Sequence, residues 1–363
     1  MLPSLSIRNY RNLKSLDIER LARVNLIAGK NNTGKTSLLE AVSLYAAGGD
    51  VRWINSLLKM REEYQRTIVS SDKKESLSDL LSNNIRSYSA LFYRKDFTQE
   101  IRIGSSKPSK KKLTIVIREE KLSRQEMSPG RDIVLSIHDG NEETICSLYN
   151  DLSSGIWSWD QVISYGTGEK FKSSATKFQF VSTKGPIVEE DTLLWSKIAL
   201  KSEEDYVVEA LRIINSDVVR IAFIDTKTEE KRKAVVRMSN SKETLPLQSM
   251  GDGMNRILTI ILALVNASDG YLLIDEFENG LHHTVQEDLW KMIFKLAKEL
   301  NVQVFATTHS DDCIHAFAKV LSCDENKLEG QYFRLERFDD IIKPIFYSAS
   351  ALEAAADQKI ETR

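Results

Sequence analysis

An α/β protein whose parallel-sheet core is split between the two ends of the chain is what this sequence pattern predicts, on three observations. Gly29-Lys30-Asn31-Asn32-Thr33-Gly34-Lys35-Thr36 fits G-x-x-x-x-G-K-[ST] at every fixed position. It lies between an apolar run at 24–28 and a helix-like stretch at 37–42, the strand–loop–helix setting the motif requires. From Gly251 onward, helix-like 254–266 and 284–299 alternate with strand-like 271–274 and 302–306, the mark of a parallel sheet covered by helices. Between the two halves, 91–93, 100–103, 113–117 and 133–137 read as successive strands separated by turn residues, an antiparallel sheet.

The remaining elements follow in order. Leu5-Ser6-Ile7 and Leu16-Asp17-Ile18 flank Tyr10-Arg11-Asn12 and suggest an antiparallel edge before the loop. Residues 38–82 read as mostly helical with a polar middle. The stretch 139–186 carries Trp157 and Trp159 but shows no period, as a lobe or loop insertion would. Residues 203–214 are helix-like, and 219–224 and 234–238 strand-like. The expected division is 1–90 for the first part of the head, 91–204 for an inserted β-rich lobe and 205–363 for the rest of the head.

The chemistry sits at strand ends. Glycines let backbone N–H groups curl around an anion, and the following helix adds its positive end. Lys35 would reach the β- and γ-phosphates, and spacing selects the Thr36 hydroxyl over Ser37 for Mg²⁺. Asp275-Glu276 ends an apolar strand. The first acid would support Mg²⁺, and the second would polarise a water for attack on the γ-phosphate. His309 ends the strand-like Val304-Phe305-Ala306-Thr307-Thr308 and would face the crevice at the strands' C-terminal ends. Ser249, Gly251 and Gly253 open a helix as a second anion site, suggesting closure on the nucleotide of a second copy; a helix cap with a glycine turn fits the same residues.

Taken in order, GKNNTGKT, SMGDGMNR, YLLIDE, ENGLHH and FATTHS resemble the ATP-binding-cassette-type ATPases. They are most similar to the ATPase domains of the overcoming-lysogenization-defect family, and more distantly to RecF and structural-maintenance-of-chromosomes ATPases. The resemblance covers residues 1–50 and 205–363 and implies an ABC-type P-loop head with an antiparallel β subdomain and an inserted middle lobe. It implies Gly29 to Thr36 as Walker A, Asp275 as the Walker B aspartate and Glu276 as catalytic base. Ser249, Gly251 and Gly253 fall where the signature loop binds ATP in trans, Glu278 to His283 at the dimer-contact loop and His309 at the switch histidine. Arg11 falls where such ATPases place an arginine near the nucleotide. Met250-Gly251-Asp252-Gly253 departs from L-S-G-G-Q, and Gln99 is the candidate for the glutamine that completes Mg²⁺ and water binding.

Bulk composition sets few further bounds. The 363 residues are 42% hydrophobic and 28% charged, with net charge -2, so a nucleic-acid face would have to be local. Lys107 to Lys112 is such a basic cluster, and a solvated hairpin tip fits it as well. Cys146, Cys313 and Cys323 have no metal spacing and suit a reducing compartment. The start lacks a basic stretch followed by an apolar run, which sets the expectation of a cytoplasmic protein. His282-His283 could suggest a metal, and residues of the dimer-contact loop fit the pair as well.

After His309 no Asp-x-Asp follows a strand with a supporting glutamate, so no built-in Toprim nuclease is expected. The chain looks similar to the stand-alone ATPase subunits of two-gene antiphage systems such as PARIS. The resemblance implies an ATP- and Mg²⁺-dependent homodimer or higher homo-oligomer controlling a separate effector, a Toprim or other nuclease. A DNA-binding repair ATPase and a regulatory nucleotide-binding module with negligible hydrolysis are the alternatives.

Overall fold

The computed structural model describes residues 1–64, 77–107, 111–122, 130–140, 142–148, 175–183, 188–225, 232–241 and 243–357. Trp157, Trp159, the 108–110 part of the basic cluster and the last six residues lie outside them.

The chain starts as a hairpin. β1 (Leu5–Tyr10) and β2 (Leu13–Ile18) pair antiparallel, Leu5 opposite Ile18 and Tyr10 opposite Leu13. Alternation puts Leu5, Ile7, Leu16 and Ile18 inside, while Arg8 and Asp17 pair on the outer face. β3 (Val24–Ala28) is buried along its whole length, as a strand covered on both faces must be. α1 (Lys35–Ala46) leaves it across the glycine loop and is buried from Ser37 onward. α2 (Val51–Met60) is capped by the Asp50 carboxylate, which accepts the Arg52 N–H, and α3 (Leu77–Ser89) follows.

β4 (Ile101–Gly104), β5 (Lys112–Leu122), β6 (Gly130–His138) and β7 (Glu143–Ser147) extend the hairpin into one antiparallel sheet, in the order β2-β1-β4-β5-β6-β7. Residues 91–93, expected as a strand, make a single bridge from Phe92 to Tyr10 and then a 3₁₀ turn at Tyr93–Lys95.

β8 (Phe178–Val181) is followed by α4 (Val188–Ile198) and α5 (Glu203–Leu211). A small antiparallel sheet comes next: β9 (Val218–Asp225), β10 (Arg232–Met238) and β11 (Thr244–Pro246). α6 (Asp252–Asn266), β12 (Tyr271–Ile274), α7 (His283–Glu299), β13 (Gln303–Thr307) and α8 (Asp311–Ser322) alternate as the sequence predicts. β14 (Gly330–Phe338), β15 (Ile341–Tyr347) and α9 (Ala349–Asp357) close the described chain.

The central sheet runs β15-β14-β3-β13-β12-β8, parallel throughout except for β15. It separates two cores. Val24, Leu26, Leu272, Ile274, Val304 and Ala306 face α6, α7 and α8 on one side. Ile27, Leu273 and Phe305 face α1, α2 and the antiparallel sheet on the other. This is the α/β head with a split core and an antiparallel β subdomain. The stretch 91–204 is shared between sheets: β4 to β7 continue the N-terminal hairpin, whereas β8 lies beside β12 with Val181 opposite Ile274. The C-terminal ends of β3, β12 and β13 come together at the edge where an α/β sheet binds ligands.

Candidate nucleotide-binding site

The loop between β3 and α1 has a backbone that requires its glycines. Gly29 has φ +145° and Gly34 φ +89°, and a Cβ on Gly34 would lie 2.7 Å from Leu13 Cδ2. Asn32 takes the left-handed region at φ 64° and its carbonyl accepts from Asn12 Nδ2 at 3.3 Å. Thr33 Oγ1 donates to Lys30 O at 2.8 Å, which closes the loop on itself. No side chain caps α1, so its first N–H groups stay available to a ligand. Lys35 Nζ folds back onto the Gly29 and Lys30 carbonyls at 2.6 and 3.2 Å. Burial holds its ammonium below the usual lysine range, against the pull of Asp275, Glu276 and Glu278.

The acids expected at the end of β12 meet this loop. Thr36 Oγ1 donates to Asp275 at 3.0 Å. Thr307 Oγ1, at the end of β13, donates to Asp275 Oδ1 at 2.6 Å and accepts the Glu276 N–H at 2.9 Å. Asp275 is buried, and burial raises its carboxyl above the ordinary range, with the Thr307 and Thr36 hydrogen bonds opposing the rise. Glu276 adopts φ +49°, turning the chain sharply at the strand end and leaving its carboxyl 41% exposed.

His309 stands beside both glutamates. Its Nδ1 lies 3.1 Å from Glu278 Oε1 and 3.9 Å from Glu276 Oε1, and its backbone N–H donates to Glu278 at 2.9 Å. The buried Arg256 of α6 donates to the Asp275 and Glu276 carbonyls, both at 2.9 Å, and to Ser182 O at 3.0 Å. The helix that carries the signature-like residues is thereby tied to the turn that carries the acids.

A cavity of about 720 Å³ opens here, within the range of small-molecule sites. Asn31, Asn32, Gly34, Lys35, Thr36 and Ser37 line it from the loop, Asp275 and Glu276 from β12, and Arg11 from the hairpin. Arg11 is engaged by acids: its guanidinium meets Glu40 of α1 at 2.5 Å and Glu63 at 2.6 Å. Its buried Nη2 finds no partner among the described residues. Gly29, Thr33 and His309 border the site without lining the cavity.

Ser249, Gly251 and Gly253 are not among its lining residues. Ser249 Oγ donates to Pro246 O at 2.7 Å, and a Cβ on Gly251 would meet no heavy atom within 4 Å. Gly253 packs toward the Gly280 carbonyl, at 3.2 Å from an added Cβ, so this loop and the 278–283 loop touch within one chain. Gln99 also stays outside the cavity, exposed ahead of β4.

Other singled-out residues have structural partners. Lys111 lies 4.8 Å above the Tyr45 ring, and burial lowers its ammonium to about 8. His282 caps α7 by accepting the Thr284 N–H. Cys313 is buried and its thiol is pushed up by burial. Among the described residues no histidine, cysteine and carboxylate cluster holds metal-site geometry, and no helix is long and apolar enough to cross a membrane.

Sequence reasoning misses Thr307 and Arg256, and it places Glu278 in the dimer-contact loop without its hold on His309. Arg256 carries a readable sign: an arginine inside an apolar helix must be paired or hydrogen-bonded. Thr307 and Glu278 carry none, because their partners lie 31 or 32 residues away, at the end of the neighbouring strand.

Comparison with known proteins places the chain. An ATP/GTP phosphatase of Helicobacter pylori is 24% identical over 383 residues, spanning 97% of each chain. The DNA replication and repair protein RecF of Cellvibrio japonicus is 53% identical over 51 residues, 14% of each chain. The SMC head domain from Thermotoga maritima superposes with TM-score 0.45 at 12% identity, over 96% of this chain and 99% of that one. The AAA ATPase domain matches residues 1–314, and the chain belongs to that family.

Proposed function

We propose that the chain is a Mg²⁺-dependent ATPase that works as a homodimer or higher homo-oligomer with ATP held between two heads. ATP turnover would make it a sensor or scaffold that controls a separate effector, a nuclease, in antiphage defence. The observation that carries the ATPase reading is the chain of hydrogen bonds from Thr36 to Asp275 to Thr307 to Glu276. It joins the phosphate loop to the acids in one unit.

In this reading Gly29, Asn31, Asn32, Thr33 and Gly34 shape the loop, and its N–H groups with Ser37's hold the phosphates. Lys35 exchanges its two carbonyl partners for phosphate oxygens, a gain for an ammonium already stripped of water. Arg11 lines the same cavity and would reach the anion by giving up its Glu40 or Glu63 pair. Thr36 and Asp275 form a hard oxygen pair that suits Mg²⁺, which when bound neutralises charge developing on the phosphates. Glu276 accepts a proton from the attacking water, and His309, held by Glu278, steadies the γ-phosphate end. Ser249, Gly251 and Gly253 act from a second copy; the open space at Gly251 supports this.

The effector role rests on the motif order shared with two-gene defence ATPases. A second reading, a repair ATPase that binds duplex DNA directly, is favoured by the RecF match. The name of the Helicobacter relative extends the candidate substrates to GTP.

Steady ATP turnover of purified wild type and Glu276→Gln, with and without duplex DNA, tests these. The proposal expects turnover that Glu276→Gln lowers about a hundredfold or more with ATP binding retained. Unchanged turnover in Glu276→Gln contradicts it. Salt-sensitive stimulation by DNA alone favours the second reading. Negligible wild-type turnover with tight ATP binding leaves a regulatory module.

A further inference from the structure

The cavity beside Lys35 extends past the residues assigned to phosphates. Its far rim is built by Tyr93, Arg94 and Lys95 on one side and by Arg337 and Asp340 of the β14–β15 hairpin on the other. Two consecutive rim residues, Arg94 at φ 54° and Lys95 at φ 59°, occupy the left-handed region. Side chains rarely adopt it, and it persists only where surroundings over-determine it.

The surroundings here do so. Arg11 N–H donates to Leu91 O at 2.8 Å, and Phe92 is buried and bridges Tyr10. The Lys95 and Asp96 N–H groups close the turn onto Phe92 O and Tyr93 O at 2.9 and 3.0 Å. The strained turn therefore hangs from the same Tyr10-Arg11 segment that borders the phosphate loop. Two of its cavity-lining side chains are planar and lie together: the Arg94 guanidinium carbon lies 5.4 Å from the Tyr93 ring centroid. Arg94 Nη2 in turn donates to Asp340 at 2.7 Å, which spans the rim. On the hairpin side Arg337 donates to Asn32 O at 3.0 Å, so the rim and the phosphate loop are joined.

We infer that Tyr93 and Arg94 form the nucleobase subsite, taking the purine ring of the bound triphosphate by stacking. The inference rests on the nucleotide reading above. Flat aromatic and guanidinium faces recognise the plane of a base, which every base has, and stacking is tolerant of its edge. A purine covers more of such a face than a pyrimidine does. The subsite therefore accepts adenine and guanine triphosphates alike, and favours both over pyrimidine triphosphates.

The test compares the affinities of ATP, GTP, CTP and inorganic tripolyphosphate for wild type, Tyr93→Ala, Tyr93→Phe and Arg94→Ala, by calorimetry. Wild type should bind ATP and GTP within about threefold of each other and CTP more weakly. Tyr93→Ala should lose about tenfold in ATP and GTP affinity, in keeping with base–aromatic stacking, and nothing for tripolyphosphate. Tyr93→Phe should restore wild-type values, and Arg94→Ala should weaken nucleotides but not tripolyphosphate. An unchanged ratio of ATP to tripolyphosphate affinity in both alanine variants overturns the subsite. Lys35→Ala that leaves tripolyphosphate binding intact overturns the nucleotide reading beneath it instead.

Discussion

Thr307 Oγ1 lies 2.6 Å from Asp275 Oδ1 and accepts the Glu276 N–H at 2.9 Å, so one hydroxyl orients both acids of the site. It does so from full burial, at the end of the neighbouring strand. Replacing it with valine keeps the shape, leaves Asp275 Oδ1 with only the longer Thr36 contact at 3.2 Å and leaves the Glu276 N–H unpaired. Thr307→Val should cost about 1–3 kcal/mol in stability and lower turnover by about tenfold or more, since the acid turn loses its fixed orientation. Denaturant unfolding and steady turnover check the two parts separately.

Glu278 holds His309 through both its backbone N–H and Nδ1. A unit of this kind fails as a unit. His309→Ala and Glu278→Ala should each lower turnover by about a hundredfold, and the double variant should be no worse than His309→Ala alone. Additive losses in that cycle contradict a shared role.

Asp191 of α4 is buried against α6, where Thr259 donates to it at 2.9 Å. Burial raises its carboxyl from 3.8 to about 7. Below pH 3.8 both folded and unfolded chains hold the proton and nothing is lost. Between 3.8 and 7 the folded chain keeps a proton the unfolded chain has released, so stability falls as pH rises, and the loss is complete above 7. Asp191→Asn removes this slope. Between about pH 5 and about pH 8 it should gain on the order of 2–3 kcal/mol relative to wild type. Unfolding curves at the two values measure it, and an equal difference at both contradicts it.

The sequence carried the site better than its surroundings. Loop, acids and histidine are local patterns on apolar strands, and strand ends are where an α/β sheet gathers its chemistry. β8 went unread because four residues, Phe178–Val181, show no period, and their pairing with β12 is decided far along the chain. Gly270 is its only local trace: a Cβ there would lie 2.2 Å from the Lys177 carbonyl that accepts the Tyr271 N–H. Residues 91–93 look like a strand by composition, but the burial of Phe92 and the bridge to Tyr10 turn them into a tethered corner. Arg11 was expected beside the nucleotide. Its chain position carries no sign of the Glu40 and Glu63 pairs that fix it.

The composite site shared by two copies is the central claim, and complementation measures it most directly. Lys35→Ala disables the loop, and Gly251→Asp adds a side chain and a charge at the open face of the signature-like turn, on a backbone whose φ of +95° disfavours any side chain. Each variant alone should show background ATP turnover. Mixed in equal amounts and allowed to exchange, they form mixed dimers with one intact site, and roughly a quarter of wild-type turnover should return. A mixture no more active than its components, or Gly251→Asp protein active by itself, would contradict a site completed by the second copy.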